Sequence, residues 1–338
     1  VDVVTANKAL LAHHGTELAG LGEQHGAALM YEAAVAGGIP IVKAMRESLT
    51  ANAVERVYGI LNGTCNYILT VMERDGRDFA DVLEDAQKLG YAEADPSFDV
   101  GGIDAAHKLA LLTSLAYGTR VDFDAVYVEG IENITAADIE AAADFGYRIK
   151  LLGVSQKTDT GIEQRVHPTL VPRGSAIAEV GDAFNAVVVE GDFVGEVMLF
   201  GRGAGAEPTA SAVVGDIIDV ARGDTPPAFG RPTDTLAPYE RARMRAHEGG
   251  YYVGLDVLDR PGAMAAIAGR MADQGISLDS IRQRSRPASP SDTGEPEPVP
   301  VTLITHETTE AAVRAALEQI EHDGHIVGRA QMIRIEPT

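Results

Sequence analysis

Residues 1–35 read VDVVTANKALLAHHGTELAGLGEQHGAALMYEAAV. VDVVTA is short, apolar and β-branched, the composition of a buried strand. It runs into NKALLAHHGTELAGLGEQHG, where Leu10, Leu11, Leu18 and Leu21 fall at helical spacing. AALMYEAAV is a second apolar, strand-like run. Strand, helix, strand in that order predicts one βαβ unit of a parallel sheet, too small to bury a core alone.

Working outward, the pattern changes after Pro40. AVERVYGIL (53–61) reads as a strand, and NGT (62–64) opens a helix over CNYILTVMERDG with Thr64 as its expected N-cap. DFADVLEDAQKLG (78–90) reads as a helix capped by Asp78 and ended by Gly90. A loop should follow, then a helix over IDAAHKLALLTSLAYG (103–118). Residues 122–200 hold the β-rich segments YRIKLLGVSQ, IEQRVHPTLV, NAVVVEG and GEVMLFG, so this part reads as α+β. GRGAGAEPTASAVVGDIIDVARG (201–223) is a Gly-rich turn entering a helix. The proline-bearing stretch after it reads as a linker. From about 249 the order is strand, helix, strand, strand, helix, strand, a ferredoxin-like βαββαβ unit with Pro261 near its first helical turn. Inside it RPASPSDTGEPEPVP (286–300) reads as an excursion, not a strand.

The expected fold class is therefore α/β and α+β multidomain. Residues 1–40 hold the βαβ unit of a parallel sheet. Residues 41–200 form an α+β domain, 223–248 a linker, and 249–338 the ferredoxin-like unit.

Composition narrows the function classes. The formal charge is −22, which repels phosphate backbones and anionic lipid, so neither nucleic acid nor membrane is an expected partner. No apolar run approaches a membrane span, and the first residues lack the basic-then-apolar order of a signal peptide. The single cysteine, Cys65, excludes an intramolecular disulfide and suits a reducing, cytoplasmic compartment. Nine histidines never take HxxxH spacing, and with one cysteine a zinc site is not expected.

The chemistry-bearing stretch is KLGYAEADPSFDVGGIDAAHK (88–108). Asp104 and Lys108 stand four apart on a predicted helix, which alone would mean a surface ion pair. Two features argue for a site. The residues around Lys108 are largely apolar, and the VGG before them lets backbone approach a ligand. A lysine at such a boundary can move protons. Asp95, just before Pro96, reads as a turn residue, and Cys65 as a small buried side chain.

This stretch resembles the signature of the homoserine dehydrogenase family. TANK (5–8), YEAAVAGGIPI (31–41), ILNGTCNYIL (60–69) and GRGAGAEPTASAVVGD (201–216) resemble its other blocks, in the same order. DRPG (259–262) with GISLDSIRQ (275–283) resembles the ACT regulatory domain of the family's longer members. The resemblance implies NAD(P)-dependent interconversion of L-aspartate 4-semialdehyde and L-homoserine, in threonine, methionine and isoleucine biosynthesis. It implies Lys108 and Lys8 as catalytic residues, with Lys108 moving the proton. It implies Glu93 and Asp104 as acids for the substrate ammonium, with Asp99 supporting them. Gly63 and Thr64 would seat its carboxylate at a helix N-terminus.

For NADP or NAD the implied contacts are Asn7, Lys8, Gly90, Glu93 and Gly205. A sodium ion would sit on Glu32, Val35, Gly37 and Ile39, whose oxygens are hard ligands. Threonine is the implied effector, with Asp259, Gly262 and Gln283 near its seat between paired ACT units of a homodimer or homotetramer. One family block has no counterpart: the opening strand–GxGxxG–helix that cradles the cofactor pyrophosphate. The resemblance thus implies that 1–40 are the remnant of a Rossmann-type parallel sheet, the C-terminal part of the dinucleotide-binding domain, to which 201–222 return. It implies that 41–200 are the catalytic and dimerisation domain, and that the chain lacks the N-terminal part of the nucleotide-binding domain. A second reading follows, a catalytically silent, dimerising amino-acid-binding module.

Overall fold

The computed structural model describes residues 1–242, 248–284 and 298–336. Most of the expected excursion over 286–300 lies outside them. In chain order the elements are β1 (Val3–Val4), α1 (Lys8–Gln24), β2 (Leu29–Met30), α2 (Ile41–Lys43), β3 (Val54–Ile60), α3 (Gly63–Asp75), α4 (Phe79–Lys88) and α5 (Ser97–Val100). There follow α6 (Ile103–Tyr117), β4 (Tyr127–Val128), α7 (Ala136–Asp144), β5 (Tyr147–Thr158), β6 (Gly161–Pro172), β7 (Phe184–Gly191), β8 (Gly195–Arg202) and α8 (Ala206–Arg222). The last are β9 (Glu248–Gly249), β10 (Tyr251–Leu258), α9 (Ala263–Asp273), β11 (Leu278–Gln283), β12 (Pro298–Thr305), β13 (Thr308–Thr309), α10 (Glu310–His322) and β14 (Ile326–Ile335).

By contact the chain forms two compact units. One comprises residues 1–136, 150–168 and 176–243, the other 137–149, 169–175 and 244–338.

In the first unit β1 and β2 pair in parallel, Val3 opposite Leu29 and Val4 opposite Met30, so the βαβ expectation holds. The second strand is shorter than its apolar run. After Met30 the chain turns through a short 3₁₀ segment, Glu32–Ala34, which buries Glu32 rather than extending the sheet. The main sheet is antiparallel around β3, which lies between β5 and β7, with β8 outside β7. The C-terminal end of β3 is buried and leads straight into α3.

Here the cap is Asn62, not Thr64: its side-chain oxygen accepts from the Cys65 amide at 2.8 Å. Gly76, left-handed at φ 64°, ends the helix. Asp78 stands at the cap position of α4 but makes no side-chain cap bond. The expected loop before α6 contains the short helix α5. Its turns are closed by Val100 and Gly101 amides on the Pro96 and Ser97 carbonyls. Gly102, at φ 85°, then starts α6, and a Cβ there would lie 3.1 Å from Val128 and 3.2 Å from Val166. A glycine is required where the chain both turns left-handed and passes this close to the sheet. Most of α6 is buried, Asp104 and Lys108 included.

Residues 224–242 are not a free linker. Ala228 accepts from the Tyr31 hydroxyl at 2.9 Å, Phe229 is buried against Tyr31, and Thr233 is bonded to Glu23. Buried apolar residues among the prolines hold the strand-less segment down.

The second unit contains the βαββαβ order as expected. Its sheet runs β11–β12–β10–β14, with Tyr251, Val253, Leu255, Val301 and Leu303 packed against α9 and α10 through Ile267, Met271, Val313 and Ile320. Residues 298–300, expected outside any strand, open β12, with Pro298 opposite Leu258 and Pro300 opposite Asp256. Prolines are tolerated among the first residues of a strand, and the Pro300 carbonyl still accepts from the Arg284 amide at 3.1 Å. This unit also takes in α7, a helix the hydrophobic pattern did not announce. Tyr252 donates to Asp138 at 3.0 Å, and Arg284 pairs with Glu140 and Asp144. β14 pairs in parallel with the 169–170 end of β6. Among the described residues no helix is long and apolar enough to cross a membrane.

Candidate active site

Three chain segments of the first unit meet on one carboxylate. Asp104, in the first turn of α6, is 5% exposed. Its Oδ2 accepts from Lys108 Nζ at 2.6 Å and from Asn62 Nδ2 at 2.9 Å. Its Oδ1 lies 3.1 Å from Lys8 Nζ. Lys8 comes from the N-terminus of α1, Asn62 from the β3–α3 junction, and Lys108 from the next turn of α6.

Both lysines are thereby aimed by the same anion. Lys108 also donates to the Leu61 carbonyl at 2.7 Å, which fixes two of its three N–H directions and leaves the third. The Lys8 side chain is partly exposed, with Asp104 as its ion-pair partner. Burial by itself would push the Asp104 carboxyl up. Lys108, then Lys8, and the bonds from Lys108 and Asn62 outweigh it and hold the group down at about 2.

Asn62 uses all its capacity here. Its oxygen caps α3, while its NH₂ donates both to Asp104 and to Asp99 Oδ1 at 2.8 Å. Burial pushes the Asp99 carboxyl up, the Asn62 bond opposes this, and neighbouring Asp104 adds to the rise. Cys65 is fully buried, its Sγ donating to the Asp99 carbonyl at 3.2 Å, and burial pushes the thiol up. A buried protonated thiol is not a nucleophile, as the sequence reading expects.

The remaining predicted residues divide. Gly63 and Thr64 are the first residues of α3. The Asn62 side chain and carbonyl satisfy the Cys65 and Asn66 amides, leaving those of Gly63 and Thr64 with no helical partner. Thr64 Oγ1 instead donates to the Tyr91 carbonyl at 2.7 Å and ties down the 89–96 turn. Glu93, in that turn, is exposed; its carbonyl accepts from Gln87, and its carboxylate does not join the Asp104 network. Gly90 is left-handed at φ 76° with open space around it, and Asp95 accepts from the Ser97 amide, a turn former as expected. Asn7 caps α1 by accepting from the Leu10 amide at 3.0 Å. Gly205, at φ 119°, starts α8.

Glu32 is turned to a capping task. Its two carboxylate oxygens accept from the Val42 and Lys43 amides at 2.9 and 2.8 Å, and its own amide donates to Asp216. Burial pushes its carboxyl up to about 7, against the pull of those amides. The adjoining turn is closed by Gly38 donating to the Arg202 carbonyl at 2.9 Å and by Ile41 donating to Ile39. No cluster of three or more His, Cys, Asp or Glu side chains able to hold a metal occurs among the described residues. A cation here would depend on backbone carbonyls, the ligands sodium accepts.

Sequence reasoning passed over Asn62 as a member of the charged network. Its signal was present: an asparagine between a strand and a helix is a cap, and a cap has an NH₂ to spare.

Comparison with known proteins follows the same division of the chain. Residues 40–218 match the family model for homoserine dehydrogenase, and residues 251–322 that for the ACT domain. The homoserine dehydrogenase of Pseudomonas aeruginosa is 46% identical over 99% of this chain and 77% of its own length. A crystal structure of a homoserine dehydrogenase from Thiobacillus denitrificans superposes with a TM-score of 0.91 at 47% identity, covering 99% of this chain and 76% of that one. A hyperthermophilic archaeal homoserine dehydrogenase solved in complex with NADPH gives a TM-score of 0.58 at 30% identity, over 66% of this chain and 65% of that one.

Proposed function

The chain belongs to the homoserine dehydrogenase family and carries an ACT domain, and from that premise we propose how its residues divide the work. The reaction interconverts L-aspartate 4-semialdehyde and L-homoserine with NAD(P), which supplies or accepts the hydride. The observation that carries the assignment is the single buried carboxylate of Asp104 holding two ammonium groups, Lys108 and Lys8.

Reduction of an aldehyde builds negative charge on its oxygen. Two fixed ammoniums stabilise that charge without reorganising, and the unbonded N–H of Lys108 gives it a proton. In the other direction Lys108 takes the proton from the hydroxyl. The Gly63 and Thr64 amides seat the α-carboxylate at the start of α3. Asp104, with its oxygens already engaged, acts on the lysines; the substrate ammonium falls to Asp99 and Glu93. Lys8, Asn7, Gly90, Glu93 and Gly205 face the cofactor in this reading. The silent-module alternative gains no support from relatives this close.

The assay is direct: NADPH absorbance followed with aspartate semialdehyde, on the chain alone and joined to an N-terminal strand–GxGxxG–helix segment. Oxidation is expected in the joined protein, and its absence there would remove the reading.

Two further parts have their own tests. Sodium is placed on the carbonyls of Val35, Gly37 and Ile39 beside Glu32. Sodium chloride should then raise the melting temperature over choline chloride at equal ionic strength, as any ligand of the folded state does; equal melting curves would argue against the ion. Threonine is placed at the ACT unit, where Gly262 starts α9 at φ 90°. Asp259 follows β10, while Gln283 lies two strands away on β11, its partner Val301 standing opposite Leu255. Two strand spacings and four residues separate them by roughly 16 Å. A single amino acid touches both only across paired ACT units. Threonine should lower the rate at millimolar concentration; a flat titration would exclude it.

A further inference from the structure

Asn185 is the second residue of β7, opposite Gly201 on β8, in a strand that is otherwise apolar through Val189. It is 1% exposed, and neither its Oδ1 nor its Nδ2 has a hydrogen-bond partner among the described residues. A buried carboxamide with nothing bonded is costly, and an apolar side chain of the same size would fill the space without that cost. The amide therefore has work that the free chain does not display.

Its surroundings say where. A Cβ on Gly63 would lie 3.3 Å from Asn185 Oδ1, and a Cβ on Gly203 would lie 2.2 Å from its amide. Asn185 is thus wedged between the first residue of α3 and the turn that leads to Gly205. At the α3 end its Oδ1 lies beside Gly63, and the Asn62 cap leaves the Gly63 and Thr64 amides without a helical partner. With neither amide atom engaged, the group is free to turn its NH₂ toward that end.

We propose that Asn185 is a substrate-binding residue whose NH₂ joins the Gly63 and Thr64 amides on the α-carboxylate of the amino-acid substrate. This rests on the reading that the 62–64 turn seats that carboxylate. Gly203 lies over the amide with no side chain of its own.

Calorimetric titration of the full chain tests this with L-homoserine and with 3-aminopropan-1-ol, which lacks the carboxylate. Asn185→Leu should weaken homoserine roughly 10- to 100-fold, the loss of one hydrogen bond to a charged group. Its melting temperature should match or exceed that of the wild type, and its affinity for 3-aminopropan-1-ol should not change. Asn185→Asp keeps the shape, sets a carboxylate against a carboxylate, and should lose homoserine at least as strongly should the leucine variant not fold. Homoserine affinity within about twofold of wild type in either folded variant overturns the proposal. So does equal weakening of both ligands, the mark of a structural role. A wild-type chain that binds no homoserine overturns the functional reading itself, a separate result.

Discussion

Lys108→Met is expected to lower kcat by about 10²- to 10⁴-fold, the range of a positioned proton donor, with KM for homoserine changed only a few-fold. Methionine keeps the length and apolar stem of the side chain, so α6 packing is largely preserved. What is lost is the ammonium, with its bonds to Asp104 and the Leu61 carbonyl and the one N–H left for the substrate oxygen. Asp104 still holds Lys8 and Asn62, so the carboxylate is not stranded. Lys108→Arg separates charge from proton transfer, because a guanidinium stabilises an oxyanion yet gives up a proton far less readily. Arginine should recover less than a tenth of the lost rate, an order-of-magnitude expectation from the same proton-transfer contribution. Steady-state assays at saturating cofactor decide this, and a methionine variant within about tenfold of wild-type kcat would reassign the proton to another group.

How far the sequence reaches can be judged from this same cluster. Helical spacing places Asp104 and Lys108 on one face, and the apolar run around Lys108 foretells its burial; both are local facts. That Lys8 reaches Asp104 from almost a hundred residues away is not local; the family resemblance puts both in one site but does not pair them. Thr64 and Asn62 show a finer limit. Both residue types cap helices, and Asn62 takes the role because it holds the extended backbone, φ −125° and ψ 116°, just before α3 begins. Helix α7 was hidden because its acidic positions are held by partners distant in sequence, Tyr252 and Arg284. Glu32 reads as a lone charge at a strand end, and its capping of the Val42 and Lys43 amides appears only when the chain doubles back.

Asp104→Asn should cost several kcal/mol of stability, on the order of a broken buried ion pair, with a pH signature. In the folded chain the Asp104 carboxyl is held near 2, below the value of about 3.9 expected in the unfolded chain. A lowered carboxyl favours folding wherever the unfolded group is ionised. Its contribution is therefore full above about pH 4 and is lost as pH falls toward 2. The shift corresponds to about 2–3 kcal/mol, and breaking a buried pair by removing one partner raises the cost to about 3–5 kcal/mol. Asn keeps the shape and can still meet Asn62, but leaves Lys8 and Lys108 without a counter-charge. Asp99 runs the other way, since its raised carboxyl costs least when protonated, so the comparison is made between the two proteins at each pH. Urea unfolding should show wild type and Asp104→Asn far apart at pH 6 and converging below pH 3. Parallel curves across that range would mean that Asp104 does not carry the charge balance of the site. Activity should fall with stability even where the variant is folded, because the two ammoniums lose the one anchor that aims both at the substrate oxygen.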